Sequence, residues 1–127
     1  MITIEFHVPG EPRAKQSFHY AGKHSFTPAR IKAWQVDVGW AAQQAMRKAS
    51  LFDINPEPLT GPIGVDLLFQ LGDHRRIDPD NLSKAVLDGL NKICFEDDSQ
   101  IVDLHIHKTV TDRESAGVWV RIFTMEE

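Results

Sequence analysis

Two acidic stretches and one lysine form the group of residues in this sequence that is best suited to chemistry. Asp78 and Asp80 stand on either side of a proline, Lys84 follows four residues later, and Asp98 ends a second acidic run further along the chain. A proline disfavours helical geometry in the residue before it and suits the first turn of a helix, so we expect Asp78 at a helix entrance and Asp80 in its first turn. Several carboxylates in one pocket repel each other unless a hard cation neutralises them. Asp78 and Asp80, joined by the run Glu96-Asp97-Asp98 if the following strand returns beside the strand before Asp78, therefore predict a site for Mg²⁺ or Mn²⁺.

An ion held in this way activates water and stabilises the charge that develops on a phosphoryl group during hydrolysis. Lys84 would then hold a phosphate oxygen or the attacking water. A structural interpretation stays open, because acids at a helix start also cap free N–H groups. Asp80, Lys84 and Asp88 are also spaced as an ordinary ladder of exposed ion pairs.

Basic residues are concentrated in two stretches, residues 11–35 and the pair Arg75-Arg76, although the 127-residue chain has a formal net charge of −4. That balance excludes binding to nucleic acid through bulk charge, so any such contact must be local. Aromatic residues are interleaved with the first stretch, an arrangement that suits phosphates and unstacked bases but also occurs in a solvated loop. The candidate DNA contacts are Arg13, Lys15, Lys23, Arg30, Lys32, Arg75, Arg76 and Lys84.

The chain resembles the RusA-type Holliday-junction resolvases. The motif that carries the resemblance is Asp78-Pro79-Asp80-Asn81-Leu82-Ser83-Lys84, preceded by Arg75-Arg76 and followed by Asp88 and Asp97-Asp98-Ser99-Gln100. Weaker similarity extends over Pro9 to Trp34. The resemblance implies a small homodimeric, magnesium-dependent endonuclease that cuts four-way DNA junctions by paired nicks in recombination and repair. Position by position, it implies that Asp78, Asp80 and Asp98 are the metal-binding catalytic acids and that Lys84 is the essential cation, with Asp88 orienting Lys84.

Two departures from the family pattern concern DNA binding. Many relatives have a run such as Lys-Gly-Arg-Pro-Arg where this chain has Lys15-Gln16-Ser17-Phe18-His19, and Ile77 stands where some relatives have another arginine. Fewer cations neutralise fewer phosphates, which predicts weaker binding with a shallower salt dependence. The predicted catalytic acids are unaffected.

The elements that must position these residues follow from hydrophobic periodicity. The pattern predicts one α/β (α+β) domain over residues 1–127, with a mixed β-sheet, two main helices and the order β-α-β-α-β-β. The last two strands are expected to pair with each other across a turn near residues 112–116. The predicted elements are strand 2–8, a helix opened by Thr27-Pro28, strand 65–71, a helix opened by Asp78-Pro79, and strands 101–107 and 117–123.

Composition limits the remaining possibilities. The single cysteine, Cys94, cannot form an internal disulfide, and no apolar run is long enough to span a membrane. We expect a cytoplasmic protein, encoded by a bacterium or a phage or prophage, with no membrane partner. Two other functions stay open: a metal-dependent nuclease or phosphohydrolase without junction selectivity, and a non-catalytic DNA-binding module. His105 and His107 share one predicted strand face, which is more typical of a solvent side than of a metal site.

Overall fold

The computed structural model describes residues 2–15, 20–21, 24–25, 28–51 and 53–125 of the chain. It confirms the predicted order of the six main elements and adds a two-residue strand pair, β2 and β3, within the basic loop. None of the described helices is long and apolar enough to cross a membrane. The elements are β1 (Thr3–Pro9), β2 (Tyr20–Ala21), β3 (His24–Ser25), α1 (Ala29–Ala49), β4 (Ile63–Leu71), α2 (Pro79–Leu90), β5 (Ile101–Val110) and β6 (Gly117–Thr124).

Four strands form one mixed sheet in the order β1-β6-β4-β5. β6 pairs antiparallel with both β1 and β4. Within the described residues, β5 pairs only with β4 and runs parallel to it. The predicted pairing between the last two strands is therefore wrong. β6 takes the interior place because its inward residues, Val118, Val120 and Ile122, are fully buried, while most residues of β5 are partly or largely exposed.

One face of the sheet carries the core. Alternate residues of β4 from Ile63 to Leu71 are all buried, as a strand with a period of two requires. They pack with the buried faces of α1 and α2, so both helices cover the same side of the sheet. Leu82, Val86 and Leu90 form the inward stripe of α2, as the helical spacing predicts.

The start of α1 differs slightly from the predicted one. Pro28 occupies the N-cap position and the helix begins at Ala29. Thr27, the other residue of the predicted helix start, lies outside the described residues. Arg30 is therefore in the first turn of α1 and is exposed.

β4, α2 and β5 form a crossover unit that fixes the positions of the acidic residues. α2 follows the carboxyl end of β4, and β5 then starts beside the amino end of β4, with Ile63 opposite Ile101 and Leu71 opposite Val110. β4 has nine residues, so its two ends are roughly 26 Å apart at about 3.3 Å per residue. Residues just before α2 and residues just before β5 must consequently lie at opposite ends of this strand pair.

Candidate active site

The start of α2 presents two exposed carboxylates. Asp78 is the N-cap residue, with extended backbone angles, and its Oδ1 accepts a hydrogen bond of 3.1 Å from the backbone N–H of Asp80. Pro79 takes the first helical position, as predicted. The Ser83 hydroxyl donates to the Asp80 carbonyl at 2.8 Å and fixes the first turn. One carboxylate oxygen of Asp78 thus caps α2. The hydrogen bonds of this turn use the backbone of Asp80 and not its carboxylate.

Lys84 lies one turn after Asp80 on the exposed side of α2. The predicted partner of Lys84 on that helix, Asp88, instead forms an ion pair with Lys15. The backbone N–H of Lys15 also donates to the Asn81 carbonyl at 3.0 Å, so the segment after β1 lies along α2. Asp88 is thus held by Lys15 in this structure, and an orienting contact from Asp88 to Lys84 stays a prediction.

Asp98 begins a short 3₁₀ helix, Asp98–Gln100, immediately before β5. Gln100 anchors this turn: its side-chain N–H groups donate to the carbonyls of Leu59 and Gly61 at 2.9 Å, and its Oε1 accepts from the N–H groups of Glu96 and Asp97. Hydrogen bonds from the side chain and backbone of Ser99 lower the pKa of the neighbouring Asp97 carboxyl. The turn is well ordered by its own hydrogen bonds, and Asp98 is exposed on it.

Asp98 does not lie beside Asp78 and Asp80 within one chain. The Gln100 amide is bound to residues 59 and 61, which precede β4. The other end of the same strand pair is next to Ile77, whose carbonyl accepts a hydrogen bond from Lys108 near the end of β5. Among the described residues, no group of three His, Cys, Asp or Glu side chains is arranged to hold a metal ion. The expectation that all three carboxylates meet within a single chain is therefore wrong.

Four of the predicted DNA contacts lie around one cavity of about 370 Å³ next to α2. This cavity is lined by Arg13, Arg30, Arg75 and Arg76, together with Pro28 and Ile77. Ile77 immediately precedes Asp78, so the four arginines, hereafter the arginine cluster, adjoin the two acids at the start of α2. The four arginines come from three separate stretches of the chain. Each was predicted as a DNA contact from the sequence, and the structure shows that they converge.

Arg75 also has a structural role in the arginine cluster. It forms ion pairs with Glu11 and with Asp73, the latter at 2.8 Å, and it donates to the Pro12 carbonyl. Glu11 in turn accepts from the Gly72 N–H, so these contacts fasten the segment after β1 to the loop after β4. The charge of Arg75 is largely compensated, and the cationic character of the cavity depends mainly on Arg13, Arg30 and Arg76.

A fifth arginine, which the sequence analysis missed, extends this cluster. Arg113 lines an adjoining cavity with Arg13 and Arg75. It belongs to the short 3₁₀ turn between β5 and β6 and stands far in sequence from the arginines of the cluster. No spacing pattern could reveal it, because its position depends on β5 and β4 ending at the same edge.

The remaining predicted contacts are distributed differently. Lys32 lies beside a groove between α1 and α2, and Lys15 is paired with Asp88. Lys23 is outside the described residues. Cys94 is fully buried, and burial raises the pKa of its thiol to about 12. His105 contacts Asp103 at 2.9 Å on the uncovered face of the sheet.

The sequence of the chain is that of a nuclease family. A sequence model described as Endodeoxyribonuclease RusA matches residues 9–123, so the chain belongs to this family, as the motif around Asp78 indicates. Two similar proteins are crossover junction endodeoxyribonucleases RusA, from Escherichia coli K12 and from Enterobacteria phage 82. Each is 29% identical to this chain over 109 residues, which cover 85% of the chain and 84% of the relative. The Bacillus subtilis protein YqaN, described as uncharacterized, is 28% identical over 95% of the chain and 97% of its own length.

The residues at the start of α2 fit a divalent metal. Asp78 and Asp80 supply hard oxygen donors that are exposed to solvent, and Mg²⁺ in phosphoryl-transfer sites is commonly bound by one or two carboxylates together with substrate phosphates. The arginine cluster beside them can hold such phosphates. Two carboxylates beside the arginine cluster are thus chemically adequate for binding such an ion.

Proposed function

We propose that this protein is a Mg²⁺-dependent endonuclease that resolves four-way DNA junctions by hydrolysing phosphodiester bonds. The observation that carries the proposal is that the arginine cluster adjoins the carboxylates at the start of α2. A purely DNA-binding surface gains nothing from exposed carboxylates facing phosphate, because like charges repel. Family membership supports hydrolytic chemistry.

The side chains divide the work between binding and chemistry. Arg13, Arg30 and Arg76 hold the DNA backbone and set the approach of one strand towards α2. Asp78 and Asp80 hold the metal ion, and Mg²⁺ supplies Lewis-acid activation of a water and stabilisation of phosphoryl charge. Mn²⁺ has the same ligand preference and is expected to substitute for it. Lys84 donates hydrogen bonds to a phosphate oxygen or to the attacking water from the next turn of α2.

A two-fold dimer acting in the cytoplasm on recombination and repair intermediates fits this activity. A symmetric junction offers two equivalent strands, and a two-fold axis would present one site to each. A protein of this kind, encoded by a bacterial chromosome, a prophage or a phage, would meet its substrate wherever DNA strands exchange.

The proposal is tested with labelled four-way junctions, linear duplexes and single strands of the same sequence, each incubated with and without Mg²⁺. We expect symmetric cleavage of the junction alone, and none in the presence of a chelator. Mg²⁺-dependent cleavage of all three substrates would instead define a nuclease without junction selectivity. Binding without cleavage in Mg²⁺ or Mn²⁺ would define a DNA-binding module.

Replacing Arg30 tests the contribution of the arginine cluster. Because Arg30→Gln removes one cation from the cavity, we expect junction binding to weaken several-fold and the slope of log K against log salt to fall by about one unit. Arg47→Gln is the matched control, since Arg47 lies in the last turn of the same helix and donates to the Ile54 carbonyl. Equal salt slopes for Arg30→Gln and the parent protein, measured by fluorescence anisotropy, would remove Arg30 from the DNA surface.

A further inference from the structure

A second cavity adjoins the cavity of the arginine cluster, which is hereafter the first cavity. The second cavity has a volume of about 410 Å³ and is lined by Glu11, Arg13, Asp73, Arg75 and Arg113. Arg13 and Arg75 also line the first cavity, so the two cavities share a wall. Among the described residues, none of those in α2 lines the second cavity, so the carboxylates proposed to bind the metal do not face it.

The two acids of the second cavity are both engaged with a single arginine. Arg75 forms an ion pair with Glu11, and its Nε donates to Asp73 at 2.8 Å. Within the described part of the chain, neither Arg13 nor Arg113 forms an ion pair. A guanidinium group keeps its charge at any physiological pH. An anion that enters the second cavity therefore meets two cations whose charge is not compensated.

The backbone position of Arg113 is fixed by a close contact with Gly72. A Cβ atom at position 72 would lie 3.1 Å from both Cα and Cγ of Arg113, and 2.8 Å from a carboxylate oxygen of Glu11. Glycine thus leaves room for the stem of this arginine. The Thr111 N–H donates to the Leu71 carbonyl at 2.7 Å and ties the end of β5 to the end of β4. Arg113 is consequently presented to the cavity by a turn that is fastened to the sheet.

We infer that the second cavity binds a phosphate of the DNA backbone other than the one that is cut, and that Arg113 is the principal cation of this subsite. The inference rests on the proposed function, in which the arginine cluster holds one strand beside α2. Each DNA strand carries one phosphate for roughly every 3.4 Å of helix axis, so a strand in the first cavity has a neighbouring phosphate within reach of the second. The planar guanidinium fork matches the oxygens of a phosphate.

The roles of the three arginines assign this contact to Arg113. Arg75 is occupied by Glu11 and Asp73, and Arg13 is shared with the first cavity. Arg113 lines the second cavity and not the first. Contacts to phosphates fix the register of DNA on a protein without carrying out chemistry. Arg113 is therefore expected to contribute to junction affinity and not to the rate of the cleavage step.

Arg121 provides a matched comparison on the uncovered face of the sheet. It lines a cavity of about 160 Å³, and its guanidinium lies 3.2 Å from Glu5 and 3.6 Å from Asp66. Both Arg113 and Arg121 are exposed. Because two acids compensate the charge of Arg121, we expect no phosphate contact there. Arg121→Gln changes the net charge as much as Arg113→Gln and thus controls for bulk charge.

Replacing single phosphates of the junction tests the subsite directly. Each four-way junction in a series carries an uncharged methylphosphonate at one position, placed in both equivalent strands near the branch point. Affinities for the parent protein, Arg113→Gln and Arg121→Gln are measured by fluorescence anisotropy in EDTA. We expect one position at which methylphosphonate weakens binding several-fold for the parent and for Arg121→Gln, but leaves the affinity of Arg113→Gln unchanged. The same losses at every position for Arg113→Gln and the parent would overturn the inference.

Kinetics and salt dependence separate a binding role of Arg113 from a catalytic one. For Arg113→Gln we expect the slope of log K against log salt to fall by about one unit, while the single-turnover rate at saturating protein in Mg²⁺ stays parental. Arg113→Lys retains the charge and should recover most of the affinity. An unchanged salt slope for Arg113→Gln, or a lowered rate at saturation, would overturn the assignment.

These outcomes are distinct from those that test the nuclease. Loss of affinity at one phosphate that depends on Arg113, without cleavage of the unmodified junction in Mg²⁺, would retain the subsite and reject the nuclease proposal. Normal junction cleavage with no phosphate that depends on Arg113 would retain the nuclease and reject the subsite.

Discussion

Replacing Asp80 with asparagine is expected to lower the rate of junction cleavage about 10³-fold or more while leaving junction binding intact or stronger. Metal-assisted stabilisation of a phosphoryl transition state contributes several kcal/mol, and each 1.36 kcal/mol corresponds to about tenfold in rate. The substitution leaves the fold unchanged, because only the backbone of Asp80 takes part in the hydrogen bonds of the first turn. Removing one negative charge beside the arginine cluster reduces repulsion of phosphate. Single-turnover cleavage and anisotropy with the same junction measure the two effects.

Asp37→Asn is the control for this substitution, because Asp37 is an exposed acid on α1 outside the proposed site. It should cleave at the parental rate. Parental cleavage by Asp80→Asn would contradict the assignment of this carboxylate. Strong loss of DNA binding by the same variant would show that Asp80 supports the binding surface instead.

An aspartate-to-asparagine substitution can also separate the capping role of Asp78 from a catalytic role. Asparagine caps helices about as well as aspartate, but it lacks the charge that a hard cation prefers. An Asp78→Asn protein with normal thermal stability and no cleavage would show that the carboxylate does more than accept the Asp80 N–H. The sequence alone leaves these two roles open because both require an acid at the same position.

The parts of the site that the sequence predicts are those set by neighbouring residues. The Asp78-Pro79-Asp80 run contains its own cap and helix start, so its structure follows from local geometry. The burial of alternate residues in β4 is likewise a local consequence of strand periodicity. The basic residues Arg13 and Arg30 were predicted as DNA contacts from their type and their charge context.

The features that the sequence could not provide depend on which strands become neighbours. A short connection between two strands usually makes a hairpin, but β6 crosses over to lie between β4 and β1 because its apolar face is buried most completely there. With β6 in this position, β5 lies at the edge of the sheet and parallel to β4. This arrangement separates Asp98 from Asp78. The Arg75–Glu11 contact and the position of Arg113 are consequences of the same strand order.

The position of Lys84 leads to the second large expected effect. Lys84→Met preserves the length and helix propensity of the side chain and removes its charge. If Lys84 stabilises charge on a phosphate oxygen or positions the attacking water, we expect kcat to fall about 100-fold with little change in junction affinity. Single-turnover rates at saturating protein, combined with binding measurements, separate these two quantities. A parental rate would mean that Lys84 is only an exposed residue of α2.

Asp88→Asn is the matched control for Lys84, because it tests the orientation role that helix spacing suggests for Asp88. In the structure Asp88 pairs with Lys15 on the segment after β1, and both side chains are more than a third exposed, so this ion pair contributes little to stability. We therefore expect Asp88→Asn to cleave within a few-fold of the parental rate. A loss as large as that of Lys84→Met would show that Asp88 exchanges Lys15 for Lys84 when DNA binds. The segment after β1 would then move away from α2 during the reaction, exposing Lys15 to the substrate.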